Sequence, residues 1–315
     1  MRVLIAASLM AAVALPLAAH ARPSAAPALA LTSAPAETPK VHRIEKLAEN
    51  AYCIFGQGGN IGLIVTAKHA VLIDDQFERL VPGLVEAVRS VTDKPIKYLV
   101  NTHGHGDHVG GNVVLEKQVS AIIAHANVRR RMVTEQAKLE PAKRGGLPEL
   151  ALGSEDATER ARLNIHLDGT EIHLLHMGPG HTNGDVIVGI PSALVMHMGD
   201  LFFLGMLPYV DVEGGGSFEG LVAQIASVAA WIPDGARIIP GHGPVCGKKD
   251  LLRYRDFLQA VQAHVKANAG KDAPALAASF DTAAWPEWKP RPDFVTWETL
   301  FSAALGKGPG RVTRP

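Results

Sequence analysis

From residue 41 onward, short apolar runs alternate with segments whose apolar residues recur at helical spacing. Runs such as 51–55, 61–65 and 96–100 have the length of strands and are bounded by turn-forming residues. Segments 78–91 and 217–231 instead place apolar residues three and four positions apart, which predicts helices. Strands that alternate with helices along a chain indicate an α/β layered fold.

The predicted elements fall into two halves of similar order. Further strands are predicted at 70–74, 120–124, 162–167, 171–177, 185–190, 193–198 and 236–239, and further helices at 109–117, 126–138 and 248–268. Residues 139–160 are polar, contain two adjacent glycines and are predicted to form a loop. Because each half runs from strands through a helix to another strand, we expect two similar α/β halves.

The first 40 residues differ from the rest of the chain. Residues 1–21 combine Arg2 with an apolar run and end in Ala19-His20-Ala21, a small-x-small sequence typical of a signal-peptidase site. The apolar run is shorter than the ~20 residues that span a bilayer. We therefore predict a signal peptide cleaved after Ala21, a periplasmic or secreted protein, and no membrane association after cleavage. Residues 22–40 are rich in Pro, Ala, Ser and Thr, which predicts a disordered leader.

The C-terminal residues 271–315 are expected to be an extension that docks on the preceding domain, residues 41–270. This segment carries six large apolar side chains, which a free tail would expose to water. They are Trp285, Trp288, Phe294, Trp297, Leu300 and Phe301.

Composition narrows the classes of function. The 31 Lys+Arg balance the 31 Asp+Glu, and the formal net charge is zero. Because nucleic-acid-binding proteins usually carry a basic excess, we expect no nucleic-acid partner. The two cysteines, Cys53 and Cys246, are too few for a disulfide scaffold or a cysteine-based zinc module. They could pair in an oxidising compartment, although the apolar surroundings of Cys53 favour a buried thiol.

Four residues of metal-binding type lie within six positions of one another. His103, His105, Asp107 and His108 follow the predicted strand 96–100. Imidazole and carboxylate groups are ligands of borderline metals such as Zn²⁺. Because so short a loop does not direct four ligands to one ion, we expect them to serve a pair of metal ions.

Three further residues of the same chemistry come shortly after other predicted strands. They are His181, Asp200 and His242. Since α/β sheets place their ligand sites beyond the ends of strands, we expect these residues to join the first four in one site. His125 and His176 flank this site in sequence and are candidate partners of the ligands. His197 alternates with Asp200 along its strand and is expected to face away.

In this order and spacing, the His-x-His-x-Asp-His motif and the three later residues resemble the metallo-β-lactamase-fold hydrolases. The resemblance covers about residues 41–260. It implies a four-layer αβ/βα sandwich of two similar halves, with the metal site at one edge between them. Residues 41–270 would then be the catalytic domain.

The resemblance also implies how the ligands divide between two metal ions. The first ion would be held by His103, His105 and His181. The second would be held by Asp107, His108 and His242. Asp200 would bridge the two ions.

Two zinc ions per chain are the expected cofactor. Three neutral imidazoles leave a zinc ion strongly Lewis acidic, with an open position. Because one Zn²⁺ already lowers the pKa of a bound water to about 7, water between two ions should be a hydroxide. We expect this hydroxide to attack an acyl C–N or C–O bond, and we expect Asp107 to act as a catalytic residue that orients it.

The residues near Asp200 depart from the best-known branches of the family. The β-lactamase subclasses have Cys or Ser at this position and often a Lys three residues later, where this chain has Phe203. Glyoxalase-II-type thioesterases share the Asp, but their Gly-Cys-Gly-Arg stretch is absent here. Persulfide dioxygenases use a single iron, and their Arg-rich signature is absent too.

These departures predict apolar substrate walls and a small-molecule acyl substrate such as a β-lactam, a lactone or an ester. The candidate walls are the tip 56–60, the loop 139–155, Phe202-Phe203 and 206–209, although Phe202 and Phe203 fit core packing equally well. The alternatives are a glyoxalase-II-like thioesterase, a mononuclear iron oxidoreductase of the persulfide dioxygenase type, and a metal-binding periplasmic partner protein whose site is vestigial. The sequence predicts no particular oligomeric state.

Overall fold

The computed structural model describes residues 41–156 and 158–308, which form two β-sheets placed between helices. The predicted signal peptide and leader lie outside the described residues, as does the end of the C-terminal segment from residue 309.

The first sheet is formed by the first seven strands in chain order. They are β1 Arg43–Ala48, β2 Ala51–Phe55, β3 Ile61–Val65, β4 Ala70–Ile73, β5 Ile96–Val100, β6 Ala121–His125 and β7 Leu150–Leu152. Neighbours from β1 to β4 are antiparallel, and neighbours from β4 to β7 are parallel.

The second sheet has the order β13-β12-β11-β10-β9-β8. Its strands are β8 Ala161–Leu167, β9 Thr170–His176, β10 Ile187–Ile190, β11 Val195–Phe203, β12 Arg237–His242 and β13 Cys246–Gly247. Among its neighbouring pairs, β11 and β12 are parallel and the others are antiparallel.

Eight α-helices flank the two sheets among the described residues. They are α1 Val81–Val91, α2 Gly106–Val109, α3 Asn112–Leu115, α4 Ala126–Gln136, α5 Phe218–Trp231, α6 Lys248–Ala267, α7 Ala273–Ser279 and α8 Trp297–Ala304. Within the part of the chain that the structure describes, no helix combines the length and the apolar character that a membrane span requires.

Alternate side chains of the strands face different cores, which is why the strands are apolar throughout. In β2, Cys53 packs between the two sheets, whereas Ile54 packs in the core that contains residues of α1. In β12, Ile239 joins the core between the sheets, whereas Ile238 joins the core of α5 and α6. The layers therefore follow the order helix, sheet, sheet, helix, which confirms the predicted four-layer αβ/βα sandwich.

Most predicted elements are present, and the differences have local causes. The helix predicted at 109–117 is two single turns, α2 and α3, separated by Gly110-Gly111. The segment 139–160 is not a loop throughout, because it contains β7. This strand has only three residues, two of them exposed. It therefore lacks the length and the alternation of apolar and polar residues from which a strand can be predicted. β11 continues past residue 198 to Phe203 and carries Asp200 within the strand.

Residues 273–304 contribute to the core on the outer face of the second sheet. Trp288 is 2% exposed, and its ring stacks on Phe257 of α6 with a centroid distance of 4.6 Å. Its Nε1 donates a hydrogen bond to the carbonyl of Phe203 at 3.2 Å. The C-terminal segment thus supports the strand that carries Asp200. The domain boundary placed at residue 270 remains a prediction.

The two cysteines are free thiols and do not pair. Cys53 is buried, and burial raises the pKa of its thiol. Burial also raises the pKa of Cys246 to about 12. Because the thiolate is the reactive form, neither side chain is suited to nucleophilic chemistry at neutral pH.

We predict that Trp288→Ala lowers the free energy of unfolding by about 3–5 kcal/mol, because it removes a fully packed aromatic ring from the core. Urea unfolding followed by circular dichroism measures this change. Trp231→Ala is the matched control, since Trp231 is 46% exposed and its loss should cost only about 0.5 kcal/mol. Equal losses in the two variants would contradict the packing role of Trp288.

Candidate metal centre

The seven predicted site residues meet at the edge where the central strands of both sheets end. His103 and His105 lie in the loop after β5, Asp107 and His108 in α2, His181 in the loop after β9, Asp200 in β11 and His242 at the end of β12. They form two groups, and within each group the possible ligand atoms lie within 4.8 Å of one another. The first group is His103, His105, His181 and Asp200, and the second is Asp107, His108 and His242.

The three histidines of the first group direct one ring nitrogen each toward a common point. Nδ1 of His105 lies 3.2 Å from Nε2 of His103 and 2.9 Å from Nε2 of His181. Burial lowers the pKa of His181 to about 4. Burial and the neighbouring charge of His108 also lower the pKa of His103. Neutral imidazoles at this place offer lone pairs to a cation.

The outer ring nitrogens of these three histidines have hydrogen-bond acceptors. His105 Nε2 donates to Asp211 Oδ2 at 2.7 Å, and His181 Nδ1 donates to the carbonyl of Tyr209 at 2.7 Å. The Thr102 hydroxyl gives its proton to a carboxylate, so at 3.1 Å it accepts from His103 Nδ1. Because the ring protons lie outside, the lone pairs point inward, as they do in histidines that bind metals.

Asp200 lies between the two groups, with one carboxylate oxygen directed to each. Oδ2 is 3.7 Å from His103 Nε2 and 3.5 Å from His181 Nε2. Oδ1 is 3.2 Å from His108 Nε2 and 3.5 Å from His242 Nε2. Burial raises the pKa of Asp200, but the charges of His242 and His108 outweigh burial and hold its pKa well below the usual range. This placement fits the predicted bridging role.

In the second group, Asp107 Oδ2 lies 3.3 Å from His242 Nε2 and 3.7 Å from His108 Nε2. Burial raises the pKa of Asp107, but the charge of His108 and the contact with His242 lower it to about 2. Its side chain is 27% exposed, whereas that of Asp200 is 4% exposed. Asp107 is therefore the carboxylate of the centre that a substrate or a water molecule from solvent can reach.

Negative charge around His108 favours a cation at this place. Its Nδ1 lies 2.8 Å from Asp74 Oδ2, and both side chains are fully buried. Burial lowers the pKa of His108, but Asp200, Asp107 and Asp74 together raise it well above its usual value. A divalent ion can supply the positive charge that these carboxylates require.

Two buried atoms that point into the centre indicate whether metal ions fit there. His108 Nε2 and Asp200 Oδ1 are buried, and neither makes a hydrogen bond, although they lie 3.2 Å apart. A buried polar atom without a partner costs about 1–3 kcal/mol, so such atoms are rare unless something binds them. Imidazole nitrogen and carboxylate oxygen are both ligands of zinc. The residues therefore fit a pair of divalent metal ions, with Asp200 between them.

Two acids that the sequence did not single out hold possible ligands from outside. Asp74 follows β4 and contacts His108, and Asp211 bonds His105 and also Arg131 Nη1 at 2.8 Å. Each has a signal in the sequence, because each is an acid at the end of an apolar run. The interactions of Asp211 with His105 and Arg131 lower its pKa against the effect of burial.

His125 and His176 stack on each other, with ring centroids 3.9 Å apart. His125 Nδ1 caps α4 by accepting from Asn127 N, and His176 Nδ1 donates to the carbonyl of Asp185. Neither belongs to the two groups of possible ligands.

Strand alternation predicts that His197 faces away from the site, but the structure places it on the side of the site. Its Nε2 donates to the carbonyl of Asn60 at 3.0 Å, and the charges of Asp74 and Asp200 act on it. The pairing of β11 is irregular at Gly199, and this irregularity interrupts the alternation on which the prediction was based.

Phe202 and Phe203 are core residues and do not line an open pocket. Both are fully buried, and Phe202 stacks on Tyr254 of α6. The ring of Phe203 lies parallel to that of His242, with a centroid distance of 5.4 Å. Phe203 therefore supports His242 from behind. Of the two roles predicted for Phe202 and Phe203, substrate wall and core packing, the structure shows core packing.

The segment that carries the seven site residues is similar in sequence to known proteins. The sequence profile of the Metallo-beta-lactamase superfamily matches residues 54–242, a span that contains all seven site residues. The hydroxyacylglutathione hydrolase GloC of Haemophilus influenzae is 32% identical over 196 residues, which cover 61% of this chain and 89% of that protein. A type 2 metallo-beta-lactamase of Bacillus sp. (strain 170) is 26% identical over 208 residues, which cover 63% of this chain and 72% of that protein.

Solved structures share the fold. A metallo-beta-lactamase from Pontibacter korlensis matches with a TM-score of 0.56 at 18% identity, covering 69% of this chain and 99% of that one. The sec-alkylsulfatase Pisa1 from Pseudomonas sp. matches with a TM-score of 0.63 at 16% identity, covering 84% of this chain and 49% of that one. From the profile match over more than half of its length, the similarity to GloC and the shared fold, we conclude that this protein belongs to the metallo-beta-lactamase superfamily.

Proposed function

We propose that this protein is a dinuclear zinc hydrolase that cleaves an acyl C–N or C–O bond in a small substrate such as a β-lactam, a lactone or an ester. The observation that carries the proposal is the position of Asp200, whose two oxygens face two separate groups of ligands. Such a centre suits two ions that act together on one substrate.

When bound, the metal ions supply Lewis acidity and make water a nucleophile at neutral pH. The chain's own residues provide orientation. Asp211 and Tyr209 hold the rings of His105 and His181 with their lone pairs inward. Asp107 is the more exposed carboxylate, its pKa is lowered to about 2, and it would accept a hydrogen bond from the attacking water. Because the chemistry needs only water as the nucleophile, the inert thiols of Cys53 and Cys246 take no part.

A glyoxalase-II-like thioesterase is the second candidate function. It is supported by the similarity to the hydroxyacylglutathione hydrolase GloC, which extends over 89% of that protein. Asp200 also fits this branch, since it stands where the best-known β-lactamases have Cys or Ser. Both candidates use the same metal centre, so the substrate distinguishes them.

We predict two zinc ions per purified chain and hydrolysis that a chelator stops and added Zn²⁺ restores. Plasma mass spectrometry counts the metal, and a chromogenic β-lactam, an aryl ester and a thioester are assayed side by side. Faster turnover of the lactam or ester supports the first candidate, and turnover of the thioester alone supports the second. One iron per chain, with none of the three substrates hydrolysed, would favour the oxidoreductase alternative and overturn the proposal.

We predict that Asp211→Asn weakens the binding of one zinc ion by about 10- to 100-fold, because His105 loses the carboxylate that orients it. Zinc titration of the chelator-treated protein by calorimetry measures this effect. Asp168→Asn is the matched control, because Asp168 also accepts from a histidine, His69, but in the turn before β9. A similar loss of zinc affinity in both variants counts against a specific role for Asp211.

We also propose that the protein acts in the periplasm or outside the cell, on the basis of the predicted signal peptide at residues 1–21. The full chain, expressed in a bacterium with an outer membrane, should be found in the periplasmic extract with Arg22 as its first residue. Intact-mass measurement tests this, and a chain that starts at residue 22 is the control. An uncleaved chain that stays in the cytoplasm would refute the proposed location.

A further inference from the structure

His242 differs from the other four histidines of the centre in how it is held. Those four have an outer ring nitrogen bonded to a side chain or a carbonyl. Among the residues that the structure describes, none forms a hydrogen bond with Nδ1 of His242. Its Nε2 faces Asp107 and Asp200, and one ring face rests on Phe203. Apart from the stacking on Phe203, the position of His242 therefore depends on its backbone.

The backbone on both sides of His242 carries no side chain that could hold it. A Cβ on Gly241 would collide with the carboxylate of Asp200. Gly243 has φ of +107°, and a Cβ there would collide with the carbonyl of Leu204. Both positions require glycine, so the hydrogen bonds that fix this loop must come from another part of the chain.

Asn60 supplies most of these hydrogen bonds, and the backbone N–H of Leu204 donates the remaining one, to the carbonyl of His242 at 3.0 Å. Asn60 Nδ2 donates to the carbonyls of Pro240 and Gly243, each at 2.8 Å. Its backbone N–H donates to the carbonyl of Gly241 at 2.7 Å. Asn60 is 5% exposed, so water does not compete strongly for these bonds. Three of the four backbone carbonyls from 240 to 243 are therefore bound by one residue.

Asn60 is itself fixed in place. Its carbonyl accepts from His197 Nε2, and His197 Nδ1 accepts from the Gly199 backbone at 3.1 Å, so the tautomer of His197 is set. The preceding residue, Gly59, donates from its backbone to the carbonyl of Asp107 at 3.1 Å. The tip between β2 and β3 thus bonds the second group of ligands on two sides, at Asp107 and around His242.

We propose that Asn60 is a positioning residue for His242 and that it sets the distance between His242 and the other two possible ligands of the second group, Asp107 and His108 of α2. This proposal rests on the proposed metal-dependent function. The three histidines of the first group are anchored through Asp211, Tyr209 and Thr102 instead. Loss of the Asn60 side chain should therefore affect one zinc ion and leave the other in place.

The test variant is Asn60→Ala, which removes both side-chain hydrogen bonds and keeps the backbone bond to Gly241. The chelator-treated protein is titrated with Zn²⁺ by calorimetry, and the zinc retained per chain after dialysis is counted. We expect one binding step to weaken by about 10- to 100-fold, as for other residues that orient a ligand, and the other step to be unchanged. The zinc count after dialysis should fall from two to one.

Thr66→Val is the matched control. The Thr66 hydroxyl is also buried and bonds the carbonyl of His69 and the carboxylate of Asp168, but it lies at the other end of β3. We expect Thr66→Val to have a lower melting temperature than the wild type and to bind zinc in two steps with wild-type affinities. Asn60→Ser retains one hydrogen-bond donor, so its zinc affinity at the weakened step should lie between those of the wild type and Asn60→Ala. This variant keeps the test informative if the alanine variant does not fold.

Three outcomes overturn the inference. If Asn60→Ala binds zinc in two steps with wild-type affinities, Asn60 does not position His242, and the proposed metal centre still stands. Equal weakening of both steps, with the same loss of melting temperature as Thr66→Val, would indicate a general structural role. A wild-type chain that binds no zinc would refute the proposed function as well, and this result is separate from the behaviour of the variants.

Discussion

A carboxylate buried among imidazole rings is the constraint on which the rest of the centre depends. Asp200 is removed from water, so its charge must be balanced by cations within a few ångströms. Its position inside a fully buried strand leaves it no freedom to turn toward solvent. The surrounding histidines must therefore approach it closely, and their outer nitrogens must be held by the residues behind them.

Those residues show how one centre is built from two sheets. Asp74 follows a strand of the first sheet and holds His108, whereas Phe203 belongs to the second sheet and supports His242. The aromatic packing of the C-terminal segment continues this support, because Trp288 bonds the carbonyl of Phe203. The geometry of the ligands is thus coupled to packing on the far face of the second sheet.

The strands, the helices and the places of the seven site residues along the chain could be predicted because they follow from local patterns, whereas the four-layer arrangement was implied by the family resemblance. Apolar runs mark strands buried on both faces, and His or Asp just after such runs marks the edge where strands end. Asn60 could not be found in this way, since its partners lie about 180 positions away in the chain. The side on which His197 lies was predicted wrongly, because an irregular strand does not keep its alternation.

The division of the ligands between two sheets links metal binding to folding. Each half alone presents only part of the set of possible ligands, so metal ions held at this centre would bind the docked sheets in preference to the unfolded chain. A ligand that binds only the folded state stabilises it by about 4 kcal/mol at a free concentration 1,000 times its dissociation constant. Under the proposed zinc-dependent function, resistance to proteases should therefore follow the zinc supply, and zinc starvation would shorten the lifetime of the protein as well as abolish its activity.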